Sequence, residues 1–235
     1  MEIRFNEEEI RREIRNKPSG IYELRILMTD FYSTKLSAYF DKESPDAVIE
    51  QMKRWRYPAK CCINWYLTCN PVKEYCRSRE QFNDLRKCRI MTQDDDIERI
   101  VQLALDVDAE HPAGTSATDE EKAAALEQAR NVYKYMNGCG FHSPEIVDSG
   151  NGYHLKYRVD LPNDDESRAF IARVVDALHE RFPFIDKSVK NPSRILKLPG
   201  TIAMKGRNTE ERPFRVSCII QDAGTEERTA DDAEQ

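Results

Sequence analysis

The order of strand-like and helix-like segments in this 235-residue sequence predicts an α+β fold made of two modules. Its second half has the order β-α-β-β-α-β, and a shorter β-β-α-β series precedes it. The six-element order implies an antiparallel-rich sheet with both helices on one face, the ferredoxin-like arrangement that RRM domains share. We therefore predict a small N-terminal α/β module over residues 1–92 and an RRM-like module over residues 93–221.

The N-terminal module begins with a helical pattern over residues 6–16, which stops before Lys17-Pro18-Ser19-Gly20. Ser44-Pro45 begins a second helix that runs to about Arg54, because Ser is a good N-cap and Pro suits the first turn. A turn signal at Asn70-Pro71 closes the module's last strand. Strands are predicted at residues 21–28, 37–40 and 61–68.

In the second half, two long helices are predicted over residues 118–137 and 164–181. Thr118 and the acidic residues after it mark the start of the first helix, and Gly138 marks its end. A short helix through Arg99 is expected before the first strand. Strands are predicted at residues 101–106, 145–147, 153–159, 195–198 and 214–220. Residues 222–235 are polar and acidic, so we expect a disordered tail.

Composition indicates a globular protein, with 40% hydrophobic and 33% charged residues. No apolar stretch is long enough to cross a bilayer and the N-terminus lacks the apolar core of a signal peptide, which predicts a cytoplasmic protein without a membrane partner. The net charge of −6 neither supports nor excludes nucleic acid as a partner, because basic residues concentrate between Arg181 and Arg215. Seven cysteines, without CxxC spacing, are more typical of buried residues in a reducing compartment than of disulfides or zinc ligands.

The most informative motif is Asp106-Val107-Asp108, which ends an apolar strand pattern. Side chains alternate along a strand, so Asp106 and Asp108 project from the same face, with their Cα atoms roughly 6.5–7 Å apart. That separation suits two divalent cations about 3.5–4 Å apart, the arrangement that supports nucleotidyl transfer. An isolated D-x-D is more often a pair of exposed aspartates, and here the preceding apolar run favours the functional interpretation.

The segment Ser149-Gly150-Asn151-Gly152-Tyr153-His154 has the residue types that bind phosphate oxygens. Its two glycines let backbone N–H groups approach an anion, and Ser149 and His154 add directional donors. The same residues would also make an ordinary hairpin turn. A third carboxylate, Asp186, follows another apolar run, and Arg194 and Lys205 are candidates for binding a triphosphate.

These motifs, in this order, resemble those of the archaeo-eukaryotic primase superfamily, particularly the primase-polymerase domains of phages, plasmids and integrated elements. The resemblance extends from about Tyr39 to Arg215 and includes Arg194 with Pro199-Gly200-Thr201 and Lys205. It implies that Asp106, Asp108 and Asp186 are metal ligands and catalytic residues, binding two Mg²⁺ or Mn²⁺ ions. It also implies that the nucleotide's phosphates are bound by the following residues: Ser149, Gly150, Asn151, Gly152, His154, Arg194 and Lys205.

The resemblance further implies a cleft between the two modules that takes a single-stranded DNA template, a primer strand and an incoming (d)NTP. The expected function is a DNA primase or DNA polymerase in the replication of a mobile element or phage, acting with a helicase or a helical priming domain. The sequence lacks a P-loop and a convincing zinc-binding element, both of which occur in relatives of this kind. Two alternatives remain: a catalytically silent module that binds DNA or nucleotide, and a metal-dependent nuclease.

Overall fold

A computed structural model of the chain describes residues 5–29, 35–55, 61–88 and 90–224. The helices are α1 (Glu7–Asn16), α2 (Pro45–Arg54), α3 (Asp119–Gly138) and α4 (Asp165–Arg181). The strands are β1 (Ile21–Thr29), β2 (Lys35–Asp41), β3 (Cys62–Thr68), β4 (Arg86–Lys87), β5 (Arg99–Asp108), β6 (Glu145–Asp148), β7 (Gly152–Pro162), β8 (Ile195–Lys197), β9 (Ile202–Ala203), β10 (Arg215–Val216) and β11 (Cys218–Gln221). The α+β class predicted from the sequence is confirmed.

Two larger antiparallel sheets organise the chain. The first has the strand order β4-β2-β1-β3-β8, and the second has the order β11-β6-β7-β5. Strands β9 and β10 form a separate two-stranded ribbon. Strand β8 follows β5 to β7 in the sequence, yet it pairs with β3. The first sheet is therefore completed by residues from the far end of the chain.

The second sheet shows how the ferredoxin-like prediction departs from the structure. Its three central strands have the expected antiparallel order β5-β7-β6. The predicted sixth element, over residues 195–198, is absent from this sheet because β8 pairs with β3 instead. The place beside β5 is taken by residues 184–186, where Ile185 forms an antiparallel bridge with Val107. Strand β11 adds to the opposite edge, next to β6.

Each larger sheet has its own hydrophobic core. The first core contains α1, α2 and the strands β1 to β3, and it also includes Leu198 and Met204 from the distal part of the chain. The second core lies between the second sheet and helices α3 and α4, and includes Leu105, Val107 and Leu155. The division at residue 92 stays a prediction. Strand β8 belongs to the first sheet, and Leu198 and Met204 belong to its core.

Helix α1 links the two sheets through a buried ionic cluster. Lys156, on β7, binds Glu13 on α1 at 2.7 Å and also contacts Glu145 on β6. Lys17 lies 3.4 Å from Glu13. All four side chains are buried, and Asn16 donates a hydrogen bond to Glu145 at 2.6 Å. The face of the second sheet that carries Lys156 is thus held against α1.

Two further predictions are corrected. The short helix expected to run through Arg99 is a single 3₁₀ turn over Asp94–Asp96, because Arg99 already begins β5. Asp222, placed in the disordered tail, forms a salt bridge of 2.6 Å with Arg12 on α1. The rest of the tail from residue 225 lies outside the described residues. Within the described ranges, no helix has the length and apolarity needed to cross a membrane.

Candidate active site

The D-x-D motif ends β5 with both carboxylates on the face of the second sheet that α3 and α4 do not cover. Val107, between them, is fully buried in the second core. Since side chains alternate along a strand, Asp106 and Asp108 must point the other way. On the neighbouring strand β7, Asp106 is opposite His154 and Asp108 is opposite Gly152. Residues directly opposite share a face of the sheet, so His154 stands beside the carboxylates.

Asp186 lies next to Asp106 on the other side of β5. Its N–H donates to the Asp106 carbonyl at 2.8 Å, and the Asp108 N–H donates to the Phe184 carbonyl at 3.1 Å. Asp106 and Asp186 are therefore cross-strand neighbours, although 80 positions separate them in the sequence. The Asp186 carboxylate accepts hydrogen bonds from Ser188, at 2.8 Å from its N–H and 2.6 Å from its hydroxyl. As it stands, the Asp186 side chain caps the turn that follows it.

The turn between β6 and β7 is fixed by contacts that its glycines permit. Gly150 has a φ of +98°, and a Cβ added there would lie 2.6 Å from that of Ala203. At Gly152, a Cβ would lie 2.4 Å from the Val107 carbonyl oxygen and 2.8 Å from Asp108 Oδ1. Ser149 Oγ accepts a hydrogen bond from the Gly152 N–H at 3.0 Å. The turn therefore packs directly on the D-x-D motif.

A pocket of about 200 Å³ lies between the two larger sheets at this point. Strand β3 and the segment from β8 onward form one wall, and β5 with the β6–β7 turn forms the other. Six of the predicted site residues line it: Asp106, Asp108, Ser149, Asn151, His154 and Lys205. The other lining residues are Asn64, Tyr66, Ile195, Leu196, Lys197, Ala203 and Met204. Gly150 and Gly152 belong to the same turn, whereas Asp186 and Arg194 lie outside this lining.

The carboxylates of the pocket lack enough positive charge to balance them. Burial, followed by the charge of Asp186, raises the pKa of Asp106 to about 7. The charge of Asp106, followed by burial, raises the pKa of Asp108 to about 6. Among the described residues, the buried oxygen Asp106 Oδ1 has no hydrogen-bond partner. A buried polar atom without a partner is costly, so this oxygen marks a place where a ligand belongs.

His154 is a neutral imidazole at physiological pH. Burial lowers its pKa to about 4, since the charged form would lose its hydration. Its Nε2 lies 3.5 Å from Asp106 Oδ1, too far for a good hydrogen bond. Its Nδ1 also has no partner within the described residues. His154 therefore offers one N–H donor and one acceptor to a molecule in the pocket.

The residues present fit a divalent cation in part. Asp106 and Asp108 supply hard oxygen ligands of the kind that Mg²⁺ and Mn²⁺ prefer, and a cation would relieve their mutual repulsion. As the side chains stand, no three His, Cys, Asp or Glu residues of the described chain are grouped closely enough to hold a metal ion. Asp186, whose carboxylate accepts two hydrogen bonds from Ser188, is the residue expected to complete such a group.

The two predicted basic residues approach the carboxylates from different sides. Lys205 lines the pocket and acts electrostatically on Asp106 and Asp108. Arg194 donates to the carbonyl and hydroxyl oxygens of Ser188, the residue that holds Asp186. The Pro199-Gly200-Thr201 stretch lies away from the pocket, with the Gly200 carbonyl accepting from Asn6 before α1 at 2.8 Å. Its observed role is to dock α1.

Three polar residues of the pocket were not predicted: Asn64 and Tyr66 on β3, and Lys197 on β8. The side-chain alternation of β3 places Asn64 and Tyr66 on the face opposite the buried Ile63, Trp65 and Leu67. That alternation was visible in the sequence. The pairing of β3 with β8, which brings Lys197 opposite Tyr66, depends on contacts between distant parts of the chain and leaves no local signal.

No family model and no curated protein sequence matches the chain. Two solved structures are similar to it in fold. The crystal structure of primase RepB' superposes with a TM-score of 0.56 at 10% sequence identity, covering 93% of this chain and 57% of that one. The archaeo-eukaryotic primase (AEP) domain of the cyanophage S-2L primase-polymerase gives a TM-score of 0.51 at 14% identity, covering 94% of this chain and 92% of that one. This chain thus spans little more than half the length of RepB', and its fold is similar to the folds of these two primase structures.

Proposed function

We propose that the chain is a template-directed nucleotidyltransferase, a DNA primase or DNA polymerase that acts in the replication of a phage or mobile element. The observation that carries the proposal is the placement of Asp106 and Asp108 side by side in the pocket between the two sheets, with Asp186 paired to the same strand. The AEP-type fold supports the same conclusion. Single-stranded DNA, a primer and a (d)NTP are the expected substrates, and a helicase is an expected partner.

In this proposal, Asp106, Asp108 and Asp186 hold two Mg²⁺ or Mn²⁺ ions. When bound, such ions activate a 3′-hydroxyl and neutralise the charge of the departing pyrophosphate. Ser149, the glycine turn and neutral His154 orient the phosphates from the side of the second sheet. Lys205 and Arg194 contribute positive charge. The protein supplies position and electrostatics, and no protein side chain acts as a nucleophile.

The test is a reaction on a single-stranded DNA template, with and without a primer, in which dNTPs and NTPs are supplied separately with Mg²⁺ or Mn²⁺. We expect products whose sequence follows the template. Incubation of labelled DNA without nucleotides is the control for a nuclease, for which degradation would be the result. Absence of templated products from the folded chain under every combination would contradict the proposal.

One observation favours the silent alternative, a module that binds nucleotide or DNA without chemistry. Asp186 accepts two hydrogen bonds from Ser188 and does not line the pocket that holds Asp106 and Asp108. Product formation distinguishes the two functions, and Ser188→Ala tests the hydroxyl contact of Asp186 while it keeps the contact from the Ser188 N–H. A polymerase should keep its activity in this variant, whereas a silent module should bind a nucleotide with Mn²⁺ and form no product with or without the substitution.

A further inference from the structure

The segment that carries Lys205 is held to the first sheet by a side chain rather than by strand pairing. The pairing of β8 with β3 ends at Lys197. The chain then leaves this sheet, docks α1 and returns at Met204, where it meets Asn64 on β3. Asn64 therefore holds the returning chain at a place that the β3–β8 pairing does not reach.

The Asn64 side chain binds both backbone polar groups of Met204. Its Nδ2 donates to the Met204 carbonyl at 2.6 Å, and its Oδ1 accepts from the Met204 N–H at 3.0 Å. The same oxygen accepts from Lys197 Nζ at 3.3 Å. A backbone N–H and an ammonium group can only donate, so these contacts fix the orientation of the amide. Because both lone pairs of Oδ1 are used, Asn64 acts on the pocket through the segment that it holds.

The second sheet holds the same segment from the other side. Ser116 is fully buried in the loop between β5 and α3, and its Oγ donates to the Lys205 carbonyl at 3.1 Å. The Ser116 carbonyl in turn accepts from Arg212 at 2.8 Å, which fixes the serine in place. The backbone around Lys205 is thus anchored both to β3 and to the loop that follows the D-x-D motif.

Lys205 is the pocket residue on which these contacts act. It lines the pocket together with Asp106 and Asp108, and its charge opposes the rise in the pKa of both carboxyl groups. A lysine side chain is long and flexible, so its ammonium group has a defined position only when the backbone is fixed. Fixing the backbone in advance also reduces the conformational entropy that is lost when a ligand binds.

We propose that Asn64 and Ser116 are positioning residues for the proposed reaction, holding the backbone of Lys205 so that its ammonium group meets the nucleotide's phosphates beside the two carboxylates. This inference rests on the proposed function, in which Lys205 contributes positive charge, and it adds the residues that place that charge. The competing interpretation is that Asn64 and Ser116 only join the two sheets. The interpretations differ in whether the effect of each residue on nucleotide binding depends on Lys205.

The experiment is a double-mutant cycle, measured by isothermal titration of dATP with Mn²⁺ and without DNA. The proteins are the wild type, Asn64→Ala, Lys205→Met and Asn64→Ala/Lys205→Met. We expect Asn64→Ala to weaken dATP binding by about fivefold and Lys205→Met by about tenfold. The double variant should stay within about twofold of Lys205→Met, because Asn64 acts through an ammonium group that is already absent.

Three further measurements complete the design. Ser116→Ala, alone and combined with Lys205→Met, should show the same dependence on Lys205. Asn131→Ala, which changes an exposed asparagine on α3, is the matched control and should bind dATP like the wild type. Deoxyadenosine lacks the phosphates, so its binding should be the same in every variant. Urea unfolding shows which variants are folded, and the stability lost in Asn64→Ala should be the same with and without Lys205→Met.

The inference would be overturned if Asn64→Ala weakened dATP binding equally with and without Lys205→Met, or if either single variant bound dATP like the wild type. Both results would leave the proposed function in place. If Asn64→Ala does not fold, the cycle with Ser116→Ala decides by the same criteria, and failure of both variants to fold would support the purely structural role. A wild type that binds no dATP with Mn²⁺ would instead overturn the proposed function, and the inference with it.

Discussion

At the scale of single residues, Gly152 shows how tightly the turn is fitted to the D-x-D motif. A Cβ at this position would lie 2.4 Å from the Val107 carbonyl oxygen, a backbone atom that cannot move without displacing β5. Gly152→Ala should therefore shift Asp108 and lower the free energy of unfolding by about 1–3 kcal/mol, the usual cost of overpacking. Urea unfolding and templated extension would measure the two effects.

Gly138→Ala is the control for this prediction. Gly138 ends α3, and nothing lies within 4 Å of the position that a Cβ would take. Alanine is the better helix former, so this variant should be as stable as the wild type or slightly more stable. Equal stability of Gly152→Ala and Gly138→Ala would show that the turn does not press on the carboxylates.

The raised pKa of Asp106 predicts a stability that depends on pH. The folded chain holds this proton up to about pH 7, whereas the unfolded chain releases it near its ordinary value. Stability should therefore fall as the pH rises from about 4 to 7. Asp106→Asn removes the titration, so without divalent cations it should be more stable than the wild type at pH 8 by about 1–3 kcal/mol.

That range allows for water screening, because 19% of the Asp106 side chain is exposed. Urea unfolding at pH 5 and pH 8 in the presence of a chelator is the measurement. Asp160→Asn, an exposed aspartate at the far end of β7, should change little at either pH. If the wild type gained stability between pH 5 and pH 8 relative to Asp106→Asn, the raised pKa of Asp106 would be contradicted.

His154 should act in nucleotide binding rather than in DNA binding, because it stands beside the carboxylates within the pocket. We expect His154→Ala to raise the apparent KM for the nucleotide by about tenfold and to leave DNA affinity within about twofold. Steady-state extension and fluorescence anisotropy with labelled DNA would separate the two quantities. An unchanged KM for the nucleotide would show that His154 does not contribute to nucleotide binding.

At the scale of elements, α1 and the second sheet are joined by the buried cluster around Lys156. Lys156→Met would leave Glu13 and Glu145 buried with Lys17 as their remaining nearby cation. Removing one partner from a buried ion pair costs about 3–5 kcal/mol, so we expect a loss of that size in urea unfolding. The unpaired carboxylates should also make the loss smaller at acid pH, where they can be protonated.

Lys53→Met tests the same chemistry at the surface. Lys53, on α2, binds Glu7 on α1 at 2.6 Å, with 43% of its side chain exposed. Water screens an exposed pair of this kind, so Lys53→Met should lower the free energy of unfolding much less than Lys156→Met does. If Lys156→Met and Lys53→Met lowered the free energy of unfolding by similar amounts, burial would not determine the strength of the ion pairs that α1 makes.

The elements also show which features are predictable from sequence. Local patterns are sufficient for α2, whose Ser44-Pro45 start and Arg54 end agree with the observed helix, and for β5, whose alternation places Asp106 and Asp108 on one face. Local patterns are insufficient for β8, because a strand of three residues, Ile195–Lys197, can complete either sheet. Strand β8 pairs with β3, and Leu198 and Met204, which follow it, pack in the first core. Lys197 was missed as a pocket residue for the same reason.

At the scale of the whole molecule, the pocket exists because the two sheets face each other. The first sheet presents Asn64, Tyr66 and Lys197, and the second presents the carboxylates and the Ser149–His154 turn. The sequence motifs predict the second wall almost completely. The first wall depends on the pairing of β3 with β8, two strands that are far apart in the sequence.

The central claim is that the carboxylates of this pocket support templated nucleotide addition. Its most direct test compares templated extension by the wild type, by Asp106→Asn/Asp108→Asn and by the control Asp160→Asn, with Mg²⁺ or Mn²⁺, after thermal unfolding has shown that all three are folded. We predict extension by the wild type and by Asp160→Asn, and none by the double variant. Extension by the double variant at a rate near that of the wild type would contradict the claim.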